Sequence, residues 1–212
     1  MNRVPIFVYG AGGHGKVVAE AARLQKDWEI AAYVDDAPKK QRSSMEGVPI
    51  LDSHAVPRGA TVALGVGGNR FRQELAERLM AQGFTLARVI HPSAILARGV
   101  ILGAGTYVGP LAVVHCDAQV GRGCIINSGA VVEHGNVLGD WVHISPHATL
   151  GGDVSVGEGA QIGMGATVLP GITVGEWSVV GAGAVVVASL GANVTAVGVP
   201  ARIIGPVKTD RG

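Results

Sequence analysis

The sequence predicts a chain in two parts, a small α/β domain over residues 1–90 followed by a parallel coil of very short strands over residues 91–212. Three observations carry this. An apolar run near the N-terminus leads into a glycine-rich turn, strand-like and helix-like segments alternate as far as residue 90, and from residue 91 an aliphatic side chain returns at every sixth position. Glycine makes up 33 of 212 residues, against a usual level of roughly 7%, the mark of a tight repeat.

In the first part, residues 4–9 (VPIFVY) read as a buried strand. Gly10, Gly12 and Gly15 follow, then an amphipathic run from Lys16 to Lys26. Residues 29–34 read as a second strand ending in Asp35 and Asp36, and residues 60–66 as a third after an irregular stretch containing Pro and Ser. A helix comes next, with Asn69 placed to cap its start, Phe71, Leu75 and Leu79 on one face and Gly83 at its end. Residues 84–90 supply a fourth strand. Alternating strands and helices favour a parallel sheet.

Cut from His91, the chain reads HPSAIL, ARGVIL, GAGTYV, GPLAVV, HCDAQV, GRGCII, NSGAVV, EHGNVL, GDWVHI, SPHATL, GGDVSV, GEGAQI, GMGATV, LPGITV, GEWSVV, GAGAVV, sixteen hexads that each end in Val, Ile or Leu. On an apolar background of 48%, such a run arises by chance with a probability on the order of 10⁻⁵. Glycine fills the first position nine times and the third nine times, as a sharp corner between short strands requires. Hexads of this kind resemble the hexapeptide-repeat acyltransferases, which implies that three hexads close one coil and that residues 18 apart stack at about 4.8 Å. His115 then stacks with Glu133, Asn127 with Ser145, and Cys116, His134 and Gly152 form one column. Corners face water and tolerate polar residues, yet three histidines, a Glu and an Asn gather between residues 115 and 145, where the repeat alone does not call for them.

Seventeen basic against 16 acidic residues leave no general electrostatic claim on nucleic acid. No apolar run approaches the roughly 20 residues of a membrane span, and the first strand is too short for a signal-peptide core; a cytoplasmic protein is expected. Cys116 and Cys124 are read as reduced and structural.

The segment NSGAVVEHGNVLGDWVHISPHATLGGDV, with YGAGGHGKV, Asp35-Asp36 and the closing GVPAR, resembles the bacterial nucleotide-amino-sugar N-acetyltransferases of the PglD/NeuD-like family, hexapeptide-repeat acyltransferases, over nearly the whole chain. The resemblance implies a half-Rossmann-like α/β domain, a left-handed parallel β-helix and a homotrimer with sites between subunits. It also implies acetyl transfer from acetyl-CoA to the 4-amino group of a nucleotide-linked dideoxy sugar, with UDP as the expected carrier. His134 matches the family base, a role that needs a pKa near 7. Gly152 matches a glycine whose backbone donor meets the developing oxyanion, Asn127 a polar position near the sugar, and His143, Met164 and Ala182 acetyl-CoA positions. Pro146, Met164 and Ala182 make one apolar column along which a pantetheine arm fits. Family members often carry an acid directly after the base, where this chain has Gly135; Asp117 and Asp153 lie 18 residues either side, and one of Asp117, Asp153 or Glu133 is expected to orient His134. Trp141 and Trp177 are expected at a subunit interface or stacked on a ligand.

Gly10, Gly12 and Gly15 with Asp35 fit a dinucleotide fingerprint, but about 90 residues supply half of such a fold and a mononucleotide fits better. By resemblance Gly12, Gly13, His14, Asp35, Asp36, Gly67 and Arg70 touch the nucleotide sugar. The rival readings are O-acetylation of a sialic-acid-like sugar, a zinc site of the carbonic anhydrase type on His115, His134 and His143, which leaves the first domain unexplained, and a non-catalytic binding protein. No metal is expected.

Overall fold

The computed structural model describes residues 3–37, 40 and 43–207. The first domain runs β1 (Val4–Tyr9), α1 (Gly13–Leu24), β2 (Trp28–Val34), β3 (Ser44–Met45), β4 (Val48–Leu51), a 3₁₀ turn (Ser53–Ala55), β5 (Thr61–Leu64), α2 (Asn69–Ala81) and β6 (Thr85–Leu86). The sheet order is β3-β4-β2-β1-β5-β6. All pairs are parallel except the β3–β4 hairpin, which together with the 3₁₀ turn lies where the sequence suggested an irregular stretch. The expected strand at 84–90 is two, β6 and Val89–Ile90, and the second of these already opens the coil by pairing with Tyr107–Val108.

Two expectations for α2 are corrected. Its cap is Gly68, with no side-chain cap bond; the Asn69 amide instead donates to the Gly159 carbonyl at 2.9 Å. Phe71 is 56% exposed, while Arg72 is fully buried beside Leu75, Ala76 and Leu79. The helix turns this face inward because it packs against the coil as well as the sheet.

Over residues 89–186 two-residue strands stack in parallel into three sheets, one of which ends in the longer strand Val194–Val197 and its antiparallel partner Arg202–Pro206. One face carries Val89, Tyr107, Ile125, His143, Gln161 and Val179 in register, the 18-residue spacing expected. Sixth-position Val, Ile and Leu point inward, and with small fourth-position residues such as Ala130, Ala148 and Ala166 they form one continuous core. Each buried aliphatic contributes roughly 1.5–3 kcal/mol. From the second hexad on, third positions are left-handed; where they are not glycine they are Leu111, Asp117, Trp141, His147, Asp153 and Trp177. In five of these the side chain lies over the glycine one coil below: Asp117 over Gly99, Trp141 over Gly123, His147 over Gly129, Asp153 over Gly135 and Trp177 over Gly159. The first domain docks on the face carrying Tyr107 and His143. Val89, Tyr107 and Ile125 join the core beneath α1, and Trp141 joins the core beneath α2.

Candidate active site

At the C-terminal edge of the first sheet, α1 and α2 begin at Gly12 and Gly68, with neither a side-chain cap bond nor an acidic residue in the first turn. Both N-termini therefore keep exposed amides and partial positive charge. Gly10, Gly15 and Gly65 are needed for packing, since a β-carbon on Gly15 would fall 1.8 Å from the Gly10 carbonyl oxygen and one on Gly10 2.5 Å from that of Gly65. Gly12, Gly13 and Gly67 differ: a β-carbon there meets nothing within 4 Å. Their bare backbone opens onto space that a ligand can approach.

Asp35 and Asp36 are committed within the chain. Asp35 accepts from the Ala11 and Ala37 amides, each at 3.0 Å, and pairs with Lys40 at 2.8 Å. Asp36 accepts from the Tyr9 hydroxyl and from Arg78 at 3.2 Å. Asp35 ties the glycine turn to the end of β2, and Asp36 ties the end of β2 to Tyr9 of β1 and Arg78 of α2. Arg70 stacks over the Trp177 ring, 4.2 Å from its centroid, so the GVGGNR turn rests on the coil. Trp141 is 1% exposed inside this one chain, which corrects the expectation of a subunit interface for it.

Nothing in the pattern of the sequence singles out Arg72, which is fully buried between the domains. Its Nε donates to the Gly123 carbonyl at 2.6 Å, and its two terminal nitrogens to the carbonyls of Gly67 at 2.8 Å and Trp141 at 2.7 Å and to Asn69 Oδ1 at 2.9 Å. A guanidinium buried among neutral acceptors raises the cost of further positive charge nearby. Burial, then the Arg72 charge, hold His14 down to about 4. Burial, then Arg72 and His14, hold His143 down to about 3. Both imidazoles are neutral at pH 7. His143 Nε2 lies 3.1 Å from the Asn127 amide. Asn127 shares its corner with Pro146, Met164 and Ala182, whose column is tied by Gly165 N–H to Pro146 O and Gly183 N–H to Met164 O, both bonds 2.9 Å or less. Met164 is 60% exposed.

His134 stands on the next corner. Its exposed ring lies over Gly152, where a β-carbon would fall 2.6 Å from Cε1 and 2.7 Å from Nε2. The Gly152 N–H donates to no acceptor among the described residues. Buried Asn136 braces this corner, donating to the Glu133 and Gly151 carbonyls at 2.6 and 3.0 Å and accepting from Val154 N–H. The expected orienting carboxylate is corrected in part: none of Asp117, Asp153 or Glu133 hydrogen-bonds the His134 ring. Glu133 turns to His115 Nε2 at 3.6 Å and to the His134 backbone amide at 3.4 Å, and Asp117 sits one coil down over Gly99. Asp153 fills the space above Gly135, its Oδ1 2.2 Å from where a β-carbon there would lie.

Asn127 and His143 thus belong to one corner and His134 to another, with the strand Val131–Val132 between them; the chain does not bring all the expected residues together. The three histidines of the zinc reading are likewise divided, and among the described residues no group of three or more His, Cys, Asp or Glu is placed to hold a metal ion. Both cysteines are free, Cys116 exposed and Cys124 buried. No helix among the described residues is long and apolar enough to cross a membrane.

Comparison with known proteins matches residues 5–79 to the PglD N-terminal domain and residues 99–134 and 153–188 to the bacterial transferase hexapeptide (six repeats). The UDP-N-acetylbacillosamine N-acetyltransferase of Bacillus subtilis is 43% identical over 108 residues, 49% of this chain and 50% of that protein, so the matched stretch spans about half the length of the curated relative. A mutant of the perosamine N-acetyltransferase of Caulobacter crescentus, solved with CoA and GDP-perosamine, is 41% identical with a TM-score of 0.89, covering 95% of this chain and 97% of that one. The acetyltransferase domain of PglB from Neisseria gonorrhoeae, solved with acetyl coenzyme A, is 35% identical with a TM-score of 0.90, covering 96% and 100%.

Proposed function

Because the chain belongs to the PglD/NeuD-like nucleotide-amino-sugar N-acetyltransferases, built on a left-handed β-helix of hexapeptide repeats, we propose that it transfers acetyl from acetyl-CoA to the 4-amino group of a nucleotide-linked 4-amino-4,6-dideoxy sugar, with UDP as the carrier. The observation that carries this reading is His134, exposed and resting against Gly152, whose N–H donates to no acceptor among the described residues. His134 removes the proton as the neutral amine attacks the thioester carbonyl, and the Gly152 N–H receives the charge that grows on the carbonyl oxygen. The carbon–sulfur bond breaks as the amide forms, and CoA leaves as its thiol, carrying the proton that His134 took from the amine. Asp153, beside His134 and over Gly135, is our choice for the group that orients the base through one water.

The diphosphate lies against the amides of Gly12, Gly13 and Gly67, with His14 and Arg70 flanking it; Asp35 shapes the turn that presents those amides, and Asp36 holds Tyr9 and Arg78 beside it. The column Pro146–Met164–Ala182 is open and of small or flexible side chains, which suits a pantetheine arm, with His143 and Asn127 at its end. Since the base and this column occupy different corners, a second copy completes each site, and we take the assembly to be a homotrimer with acetyl transfer at each junction.

The test is CoA release on incubating the protein with acetyl-CoA and UDP-, dTDP- and GDP-linked 4-amino sugars. Release with at least one, lowered about 10²- to 10⁴-fold by His134→Ala while nucleotide-sugar binding persists, is the expected result. No release with any sugar of the panel overturns it, and release only with GDP or dTDP sugars overturns the choice of UDP.

A further inference from the structure

Two polar atoms on opposite sides of the seam between the domains are buried without a hydrogen-bond partner among the described residues, Nε2 of His14 and the hydroxyl of Tyr107. Their rings meet edge to face, centroids 5.5 Å apart and planes at 87°, and Tyr107 is 2% exposed. The hydroxyl reaches the Asn127 corner, because a β-carbon on Gly109 would fall 3.2 Å from it and 2.9 Å from the Ser128 nitrogen. Four polar side chains, His14, Tyr107, Asn127 and His143, therefore gather at the seam, and two of them have unmet hydrogen-bonding capacity. A buried hydroxyl without a partner works against folding, and phenylalanine would fill the same space without that penalty. The tyrosine also borders a groove of about 380 Å³ between α1 and the first coils, lined besides by Lys16, Val17, Glu20, Glu46, His91 and Pro110.

We propose that Tyr107 is a specificity-determining residue that, together with His14, holds a ring hydroxyl of the acceptor sugar; the proposal rests on the function proposed above. Its place supports this. The phosphate-facing glycines at the start of α1 lie on one side of His14 and the Asn127 corner on the other, and a sugar joined to a diphosphate is the part of the ligand that spans the two. The chemistry supports it as well. Two uncharged imidazoles and a phenol suit an uncharged hydroxyl, while the buried Arg72 guanidinium behind them disfavours a cation. A site built to pair with a hydroxyl discriminates strongly against sugars that lack it.

The experiment compares wild type and Tyr107→Phe in KM for the nucleotide sugar, KM for acetyl-CoA, affinity for UDP and GDP alone, and melting temperature. The nucleotide-sugar KM is expected to rise about tenfold, the worth of one good hydrogen bond, with the KM for acetyl-CoA and the affinities for UDP and GDP alone unmoved and the melting temperature held or raised. An unchanged nucleotide-sugar KM overturns the proposal, whether the melting temperature holds, rises or falls; a fall would assign the hydroxyl to a structural water. An equal loss of affinity for UDP or GDP alone also overturns it, since Tyr107 would then serve the nucleotide. Wild type that acetylates while Tyr107→Phe matches it sinks this proposal alone. Wild type that neither binds nor acetylates any sugar of the panel sinks the functional reading and this proposal with it.

Discussion

The imidazole of His134 rests on the bare backbone of Gly152, with no room between them for a β-carbon. Gly152 does not have a left-handed φ, so alanine is acceptable to the backbone and the exposed ring is what must yield. Gly152→Ala is expected to keep its fold and melting temperature and to lose about 10²-fold in kcat, as a base displaced by about an ångström does. Steady-state kinetics beside thermal melting check this; full activity in the variant would mean that the ring works from another position.

Arg72 couples the two domains through four acceptors that lie on both sides of the seam. Arg72→Met leaves buried carbonyls unpaired and frees the Gly67–Arg70 turn. Stability should fall by about 3 kcal/mol, read by denaturant unfolding at fixed protein concentration, and the nucleotide-sugar KM should rise in the protein that remains folded. A variant as stable as wild type would show that the seam holds without this clamp.

The two neutral histidines predict an acid limit. Unfolded, each takes up a proton near pH 6.5, whereas in the folded protein His14 resists until about 4 and His143 until about 3. The unfolded chain binds more protons in that window, so this contribution to stability is complete above about pH 7 and declines as pH falls from 6.5 towards 4. Melting temperature should drop below about pH 6, and His143→Asn should flatten the slope. Equal melting temperatures at pH 7 and pH 5 would contradict the buried, neutral assignment.

The cysteines should separate cleanly. Burial pushes the Cys124 thiol up to about 12, while Cys116 is exposed. A thiol reagent should modify Cys116 first in the native protein and reach Cys124 only on unfolding, so Cys116→Ser should abolish the fast phase.

The hexads made the coil legible because every contact within it recurs at a fixed separation. Once the aliphatic sixth position is seen, Tyr107–Ile125–His143, Pro146–Met164–Ala182 and Cys116–His134–Gly152 follow by counting in eighteens. Much of the candidate site could be found in that way, since its residues sit at countable corners. The seam between the domains obeys no such period. That Arg72 would turn inward and Phe71 outward, that Trp141 would lie under α2, and that Tyr107 would meet His14 depend on how one body docks on the other, through partners 51, 69 and 93 residues apart. The carboxylate missing at position 135 shows both sides. Counting names Asp117 and Asp153 as the neighbours of Gly135 one coil either way; only the folded coil shows that the Asp153 side chain lies in the space that Gly135 leaves, while that of Asp117 lies over Gly99.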